Sequence, residues 1–422
     1  VHSHTELKAI YRYGYIIFAI LASAYFFVYF HRLTVSVIGS DIVEEVGGTI
    51  GGLSSAYFWT YTAMQIPSGI LADRFGPRKA TALFLSVAAL GSFITSVGDS
   101  FEMMVIGKML IAAGMAVVYI PLMKIISVWF KKDSFPQLTG ITIAVGNIGA
   151  IAAAAPLSML SDQMGWREVF LMLGIVTTIL AILCALFVRD HPHRKGFRAI
   201  EEVTGMDTDD ETDGKLPALK GLRIVFSSGR AFWMLALAYM LIYGTIMAFQ
   251  GTWVKTYFDN AYSFGVAVIW LITSIGVGKI LSTILVGFLT GKGVIRSKRN
   301  AMIGGVACFT AIWGIIWVFA GSIDNYLFWF VITFLFGFFG GFMTLSFTQV
   351  KECFPTAISG TAVSSMNIFL FLGASICATI TDVIIGRDYS LENFSVMWQI
   401  MFIFSVIALV FVFLSVERKQ IA

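Results

Sequence analysis

The chain has 422 residues, of which 58% are hydrophobic and only 13% charged, with a net charge of +4 and a mean hydropathy of +0.83. Soluble domains carry roughly a quarter of their residues as charges, so this composition excludes a string of soluble domains and implies a chain solvated by lipid. The basic excess is spread over short segments rather than gathered in a patch, which excludes nucleic acid as a partner.

Apolar runs of about 20 residues, enough to cross a hydrocarbon core of roughly 30 Å, recur from end to end. They predict twelve transmembrane helices, at 13–39, 51–72, 80–98, 102–130, 137–160, 167–188, 230–258, 264–290, 300–321, 325–350, 359–385 and 394–416. The first is too long, with polar residues too late, for a cleavable signal peptide and reads as a span. The polar stretch 189–229, with an acidic cluster over 207–213, reads as a cytoplasmic linker. It divides an N-terminal six-helix bundle, 1–188, from a C-terminal one, 230–422.

Charge tests this layout independently. Of 29 Lys and Arg, only Arg167, at the outer edge of its span, and Arg387 fall on the expected outer side, and Arg32, Lys108, Lys124, Lys255 and Lys279 fall further inside spans. The rest lie on the other side, which the positive-inside rule makes cytoplasmic, with both termini there. The expected location is a bacterial inner membrane, with the bilayer as surroundings and the monomer as working unit. The four cysteines have no metal or pairing pattern and read as small buried apolar residues.

Between the second and third spans stands the segment 69–79, GILADRFGPRK, where Gly76 and Pro77 bend the chain among Asp73, Arg74, Arg78 and Lys79. This segment resembles the signature loop of the major facilitator superfamily, G-x-L-A-D-R-x-G-x-R-K. The resemblance implies an all-α polytopic membrane protein, two six-helix pseudo-repeats and alternating access around a site near the midplane. It also implies gating roles for Asp73, Arg74, Gly76 and Arg78. An internal echo supports the repeat: the segment 287–292 resembles 69–74, and Gly360 with Asn367 matches Gly140 with Asn147, at an offset of about 220 positions.

A charge inside a span costs roughly 2.5–3.5 kcal/mol on insertion scales, so each should face a cavity or a partner. Five such groups are basic, whereas the one acid well inside a span is Asp382. A positive interior predicts an anionic substrate that brings the missing counter-charge. Tyr29 and Arg32, three apart in the first span, resemble the substrate-contacting pair of the organophosphate and organic-anion branches of the superfamily, and arginine's planar fork suits a carboxylate or phosphate. Lys124, six residues before Phe130 of a Trp-Phe pair, stands where sugar-acid transporters of the superfamily carry a substrate-contacting arginine, which makes it a candidate substrate ligand; Lys108 takes the place of the arginine of the family's second motif.

Asn147 and Asn367 match amides that those relatives place near substrate, and the repeat brings Gln250 into register with Arg32 and Lys279 with Tyr61, adding these to the candidate site. Trp253 is a candidate outer gate. His31 stands where proton-coupled relatives have aspartate, so His31 and Lys108 are the candidates for carrying a proton, and exchange of two anions needs neither. No nucleotide-binding signature, metal-ligand set or catalytic constellation is present, so no cofactor and no enzyme activity are expected. The competing readings are a transporter-like anion receptor and a carrier of small zwitterions such as amino acids or peptides.

Overall fold

In lipid the backbone must satisfy its own hydrogen bonds, and a chain without alternating strands does so by helix. The structure, a computed structural model, describes residues 2–198, 200 and 218–417, and every regular element among them is helical. The acidic cluster of the linker lies outside the described residues.

The elements are α1 (His2–Val46), α2 (Ile50–Ala63), α3 (Gln65–Val97), α4 (Phe101–Ala116), α5 (Tyr119–Trp129), α6 (Phe135–Ala152), α7 (Ala155–Met164) and α8 (Trp166–Phe187). After the linker come α9 (Ala218–Ser227), α10 (Arg230–Ala248), α11 (Val254–Ala261), α12 (Val268–Gly291), α13 (Lys298–Val318), α14 (Tyr326–Gly340), α15 (Leu345–Cys353), α16 (Thr356–Ile385) and α17 (Leu391–Leu414). Ten helices, or eleven counting the bent pair α6–α7, are long and apolar enough to cross a membrane among the described residues. The expected second span, 51–72, is divided at Met64: its first part is α2, and its remainder runs into α3.

Chain contacts separate two units. The first comprises Val1–Thr34, Glu44–Gly47 and Ala63–Glu211; the second comprises Val35–Val43, Gly48–Thr62 and Thr212–Ala422. In the first, α3 packs along α4 and α8. Gly91 and Gly107 make that approach close, since a Cβ on Gly91 would lie 2.6 Å from the Gly107 carbonyl oxygen. Arg167 ties the ends of this unit together, pairing with Glu45 at 2.9 Å and Asp99 at 3.3 Å and donating to the Gly98 carbonyl at 2.6 Å. In the second, α10 packs on α16 and α17, and α12 on α14. Its core is a cluster of Phe249, Tyr257, Trp313, Trp329, Phe394 and Trp398, whose rings meet at about 5–7 Å in mostly edge-on contacts.

A membrane helix is apolar on its outer face too. On α8, Val169, Phe170, Leu173, Thr177 and Cys184 are buried, while Leu171, Ile175, Ile179, Ile182 and Leu186 form an exposed stripe at helical spacing. That stripe is the surface lipid solvates. Cysteine follows the same logic, with one correction. Cys184, Cys353 and Cys377 are buried as expected, but Cys308 is exposed on α13, where an apolar environment is lipid rather than core.

Candidate functional site

In the first unit, α1 carries Tyr29, His31 and Arg32. The three-residue step from Tyr29 to Arg32 places both on one face, and the Arg32 guanidinium carbon sits 4.5 Å from the Tyr29 ring centroid. Arg32 is 7% exposed. Tyr29 also meets Tyr25 at 5.3 Å, and both rings abut α6 at Gly146, where a Cβ would lie 2.9 Å from Tyr29. At Gly149 it would lie 2.2 Å from the Phe26 carbonyl oxygen. Two glycines thus bring α6 against α1, with half-buried Asn147 between them in sequence.

Lys108 of α4 is 1% exposed. Its Nζ donates to Thr34 Oγ1 at 2.7 Å, and Thr34 in turn donates to the His31 carbonyl at 3.0 Å. The ammonium also lies 4.6 Å from the Phe170 ring centroid, a cation–π contact. Glu102, the acid nearest on the same helix, is exposed and takes no part. Lys108 therefore has only neutral partners among the described residues. His31 is buried as completely, and neither of its ring nitrogens has a hydrogen-bond partner among the described residues. Thr34 and Phe170 carried no signal in the sequence, because a threonine and a phenylalanine in a span are ordinary until a charge is placed against them.

Lys124 stands on α5, past the break that ends α4 at Ala116. Its Nζ pairs with Asp73 Oδ1 at 2.9 Å, so two residues assigned separate roles in the sequence form one ion pair. The charged loop is a single non-helical residue in α3: Gly76 at φ +78°. A side chain is strained there and space is absent, since a Cβ would lie 2.8 Å from Asp190 Oδ2. Asp190 accepts the Arg78 backbone N–H at 2.7 Å, and Arg78 Nε donates to the Ala185 carbonyl at 2.8 Å. Arg74 lies 5.7 Å from the neighbouring Phe75 ring.

In the second unit, Tyr61 of α2 packs on Phe371 of α16 with ring centroids 4.2 Å apart. Phe371 meets Tyr243 at 5.8 Å, and the Lys279 ammonium lies 5.5 Å from the Tyr243 ring. Tyr61 and Lys279 thus approach the same pair of rings. Gln250 and Trp253 fall in a π-helical segment, Phe249–Trp253, between α10 and α11. Such wide turns expel a residue from the regular ladder and are frequent at functional positions; Gln250 is 4% exposed. Trp253 is fully buried and packs against Tyr389 and Phe394 at 6.2 and 6.1 Å, so it faces protein and not the lipid interface. Lys255 pairs with Asp259 at 3.2 Å. Asn367 is half-buried on α16.

Known proteins extend this picture. A family model described as "Major Facilitator Superfamily" matches residues 21–378. The chain is 24% identical over 306 residues to a probable sulfoacetate transporter of Cupriavidus necator, covering 71% of this chain and 70% of that one. It is 23% identical over 384 residues to a probable hexose phosphate transport protein of Chlamydia trachomatis, covering 85% and 82%. Among solved structures, a bacterial homologue of the human lysosomal transporter Spinster superposes with a TM-score of 0.75 at 16% identity, covering 95% of this chain and 96% of that one. With a signature loop broken at Gly76, apolar helices throughout and a family match over most of its length, this chain is a member of the Major Facilitator Superfamily and an integral membrane protein.

Proposed function

We propose that the chain is a secondary transporter that carries a small organic anion, a carboxylate, sulfonate or phosphate ester, across a bacterial inner membrane by alternating access. The observation that carries this reading is Lys108: a cation sealed inside the first unit with a hydroxyl and a ring for partners, on a chain whose spans hold five basic groups. A charge kept in lipid without a counter-charge is costly and marks a working site. Arg32, seated on Tyr29, supplies the planar fork that a carboxylate or phosphate accepts. The names of the relatives, sulfoacetate and hexose phosphate transporters, share an anionic group and little else.

In this reading Arg32, Lys124, Tyr29, Tyr61, Asn147, Gln250, Lys279 and Asn367 are the substrate-contacting residues. His31 and Lys108 handle the coupling proton, and the Asp73 loop gates the cycle. The bundles 1–188 and 230–422 are the two repeats, joined by the linker 189–229. The monomer does the work, and the basic segments and both termini face the cytoplasm. The test is uptake of labelled sulfoacetate, a hexose phosphate and an aldonate into liposomes holding the purified chain. Accumulation of one of them, lost in Arg32→Ala, supports the reading; uptake of neutral or cationic solutes alone overturns it. A pH gradient that drives the uptake establishes proton coupling, and dependence on an internal anion establishes exchange.

A further inference from the structure

Between the linker and the first span of the second unit stands α9, a helix of ten residues that the substrate site leaves unused. One face of it is taken up by the protein. Gly221 and Val225, four apart, are buried, and a Cβ at Gly221 would lie 3.4 Å from Thr361 Oγ1 and 3.6 Å from Ile358 Cγ2, so the helix rests on the first turns of α16.

The position of α9 relative to the bilayer follows from the chain. Only Ser228 and Gly229 separate it from α10, whose first residue opens a stretch long and apolar enough to span. Gly229, at φ +61°, makes the corner, a conformation that favours glycine. Trp233 Nε1 reaches back to the Phe226 carbonyl at 2.8 Å, and the Phe226 ring meets Phe232 and Trp233 at 5.6 Å each. The C-terminal end of α9 is thereby pinned to the start of a span, at the level of the headgroups, where tryptophan is enriched.

The faces turned away from α16 share one chemistry. Lys220, Arg223 and Ser227 are exposed on the side opposite Gly221 and Val225, and Arg230 adds a third exposed cation at the start of α10. Ile224 and Phe226, 38% and 37% exposed, flank them. No acidic residue occurs in α9, and the three cations form no ion pair among the described residues. Apolar side chains that dip into the acyl boundary, beside long cationic ones that reach up from it, make an interfacial helix.

We propose that α9 and Arg230 form a binding surface for the headgroups of anionic phospholipids. A phosphodiester accepts hydrogen bonds from guanidinium and ammonium groups alike, and each cation at an anionic leaflet strengthens the association. The contact depends on the place of α9 at the membrane surface and on no property of the transported solute. The rival occupant is the chain's own acidic segment, whose last member, Asp213, stands five positions before α9.

The test uses the full chain with Cys184, Cys308, Cys353 and Cys377 changed to alanine and a fluorophore attached through Ser227→Cys, on the exposed face of α9. In phosphatidylcholine nanodiscs, quenching by spin-labelled phosphatidylglycerol is compared with quenching by spin-labelled phosphatidylcholine at the same mole fraction. The anionic lipid is expected to quench about three- to tenfold more effectively. That ratio should fall to about one in the triple variant Lys220→Gln, Arg223→Gln, Arg230→Gln, and in the parent at high salt, which needs no variant to fold. A ratio of one in the parent overturns the proposal, as does a raised ratio that survives both the triple variant and salt. A parent ratio of one that rises when Asp207, Asp209, Asp210 and Asp213 are changed to Asn and Glu211 to Gln overturns it too, and assigns the face to the acidic segment.

Discussion

Lys124 and Asp73 form an ion pair at 2.9 Å across α5 and α3, joining a residue read as an anion ligand to one read as a gate. The side chains are 36% and 79% exposed, and surface pairs of this kind contribute only about 0–1 kcal/mol to stability. Its importance is therefore expected in the transport cycle: an anion arriving at Lys124 competes with Asp73, and the loop is released as the substrate binds.

Asp73→Asn and Lys124→Gln are each expected to change the unfolding temperature by no more than about 2 °C, the shift that under 1 kcal/mol gives in a chain of this size. Maximal uptake rate is expected to fall about tenfold or more in both. The double variant should be no worse than the singles if the pair acts as a unit, which initial-rate measurements on all three decide.

Lys108→Met conserves bulk while removing the buried charge. Taking out a cation that has no counter-charge among the described residues is expected to leave the unfolding temperature unchanged or raise it. Uptake driven by a pH gradient should fall about tenfold or more while anion affinity is retained, as read by liposome uptake beside titration. A parallel loss of stability would make Lys108 a packing residue.

Gly76→Ala places a side chain at φ +78° and against Asp190. The expected cost is about 1–3 kcal/mol, visible as a lowered unfolding temperature. Asp190→Ala, which removes the acceptor of the Arg78 N–H, should lower it too, and the two effects should be less than additive because the residues touch.

These residues show which parts of the molecule the sequence could disclose. Gly76 was legible because a glycine beside proline in a charged segment between apolar runs has few other uses, and the Tyr29–Arg32 step was legible because it is a helical period. Asp190 was not: it caps that same turn from 112 positions away, and nothing local marks it. The break of α2 at Met64 and the π-helical turn holding Gln250 are backbone departures to which hydropathy is blind, and the Lys124–Asp73 pair joins residues 51 positions apart. Cys308 shows the limit from the other side, since an apolar span does not say which face meets lipid.

Arg32→Lys keeps the charge at the Tyr29 face but gives up the planar fork. Affinity for a carboxylate or phosphate is expected to fall about tenfold with the unfolding temperature of the unliganded protein unchanged, and Arg32→Ala should fall further. Equal affinities for parent and Arg32→Lys would mean that charge alone, without bidentate geometry, is recognised.

The measurement that bears most directly on the central claim is a thermal-shift titration of the purified chain with organic anions, set beside Arg32→Ala. The account predicts that at least one carboxylate, sulfonate or phosphate ester stabilises the parent in proportion to its concentration above Kd and leaves Arg32→Ala unmoved. Stabilisation by neutral or cationic solutes with none from any anion would contradict it and make the buried cations structural.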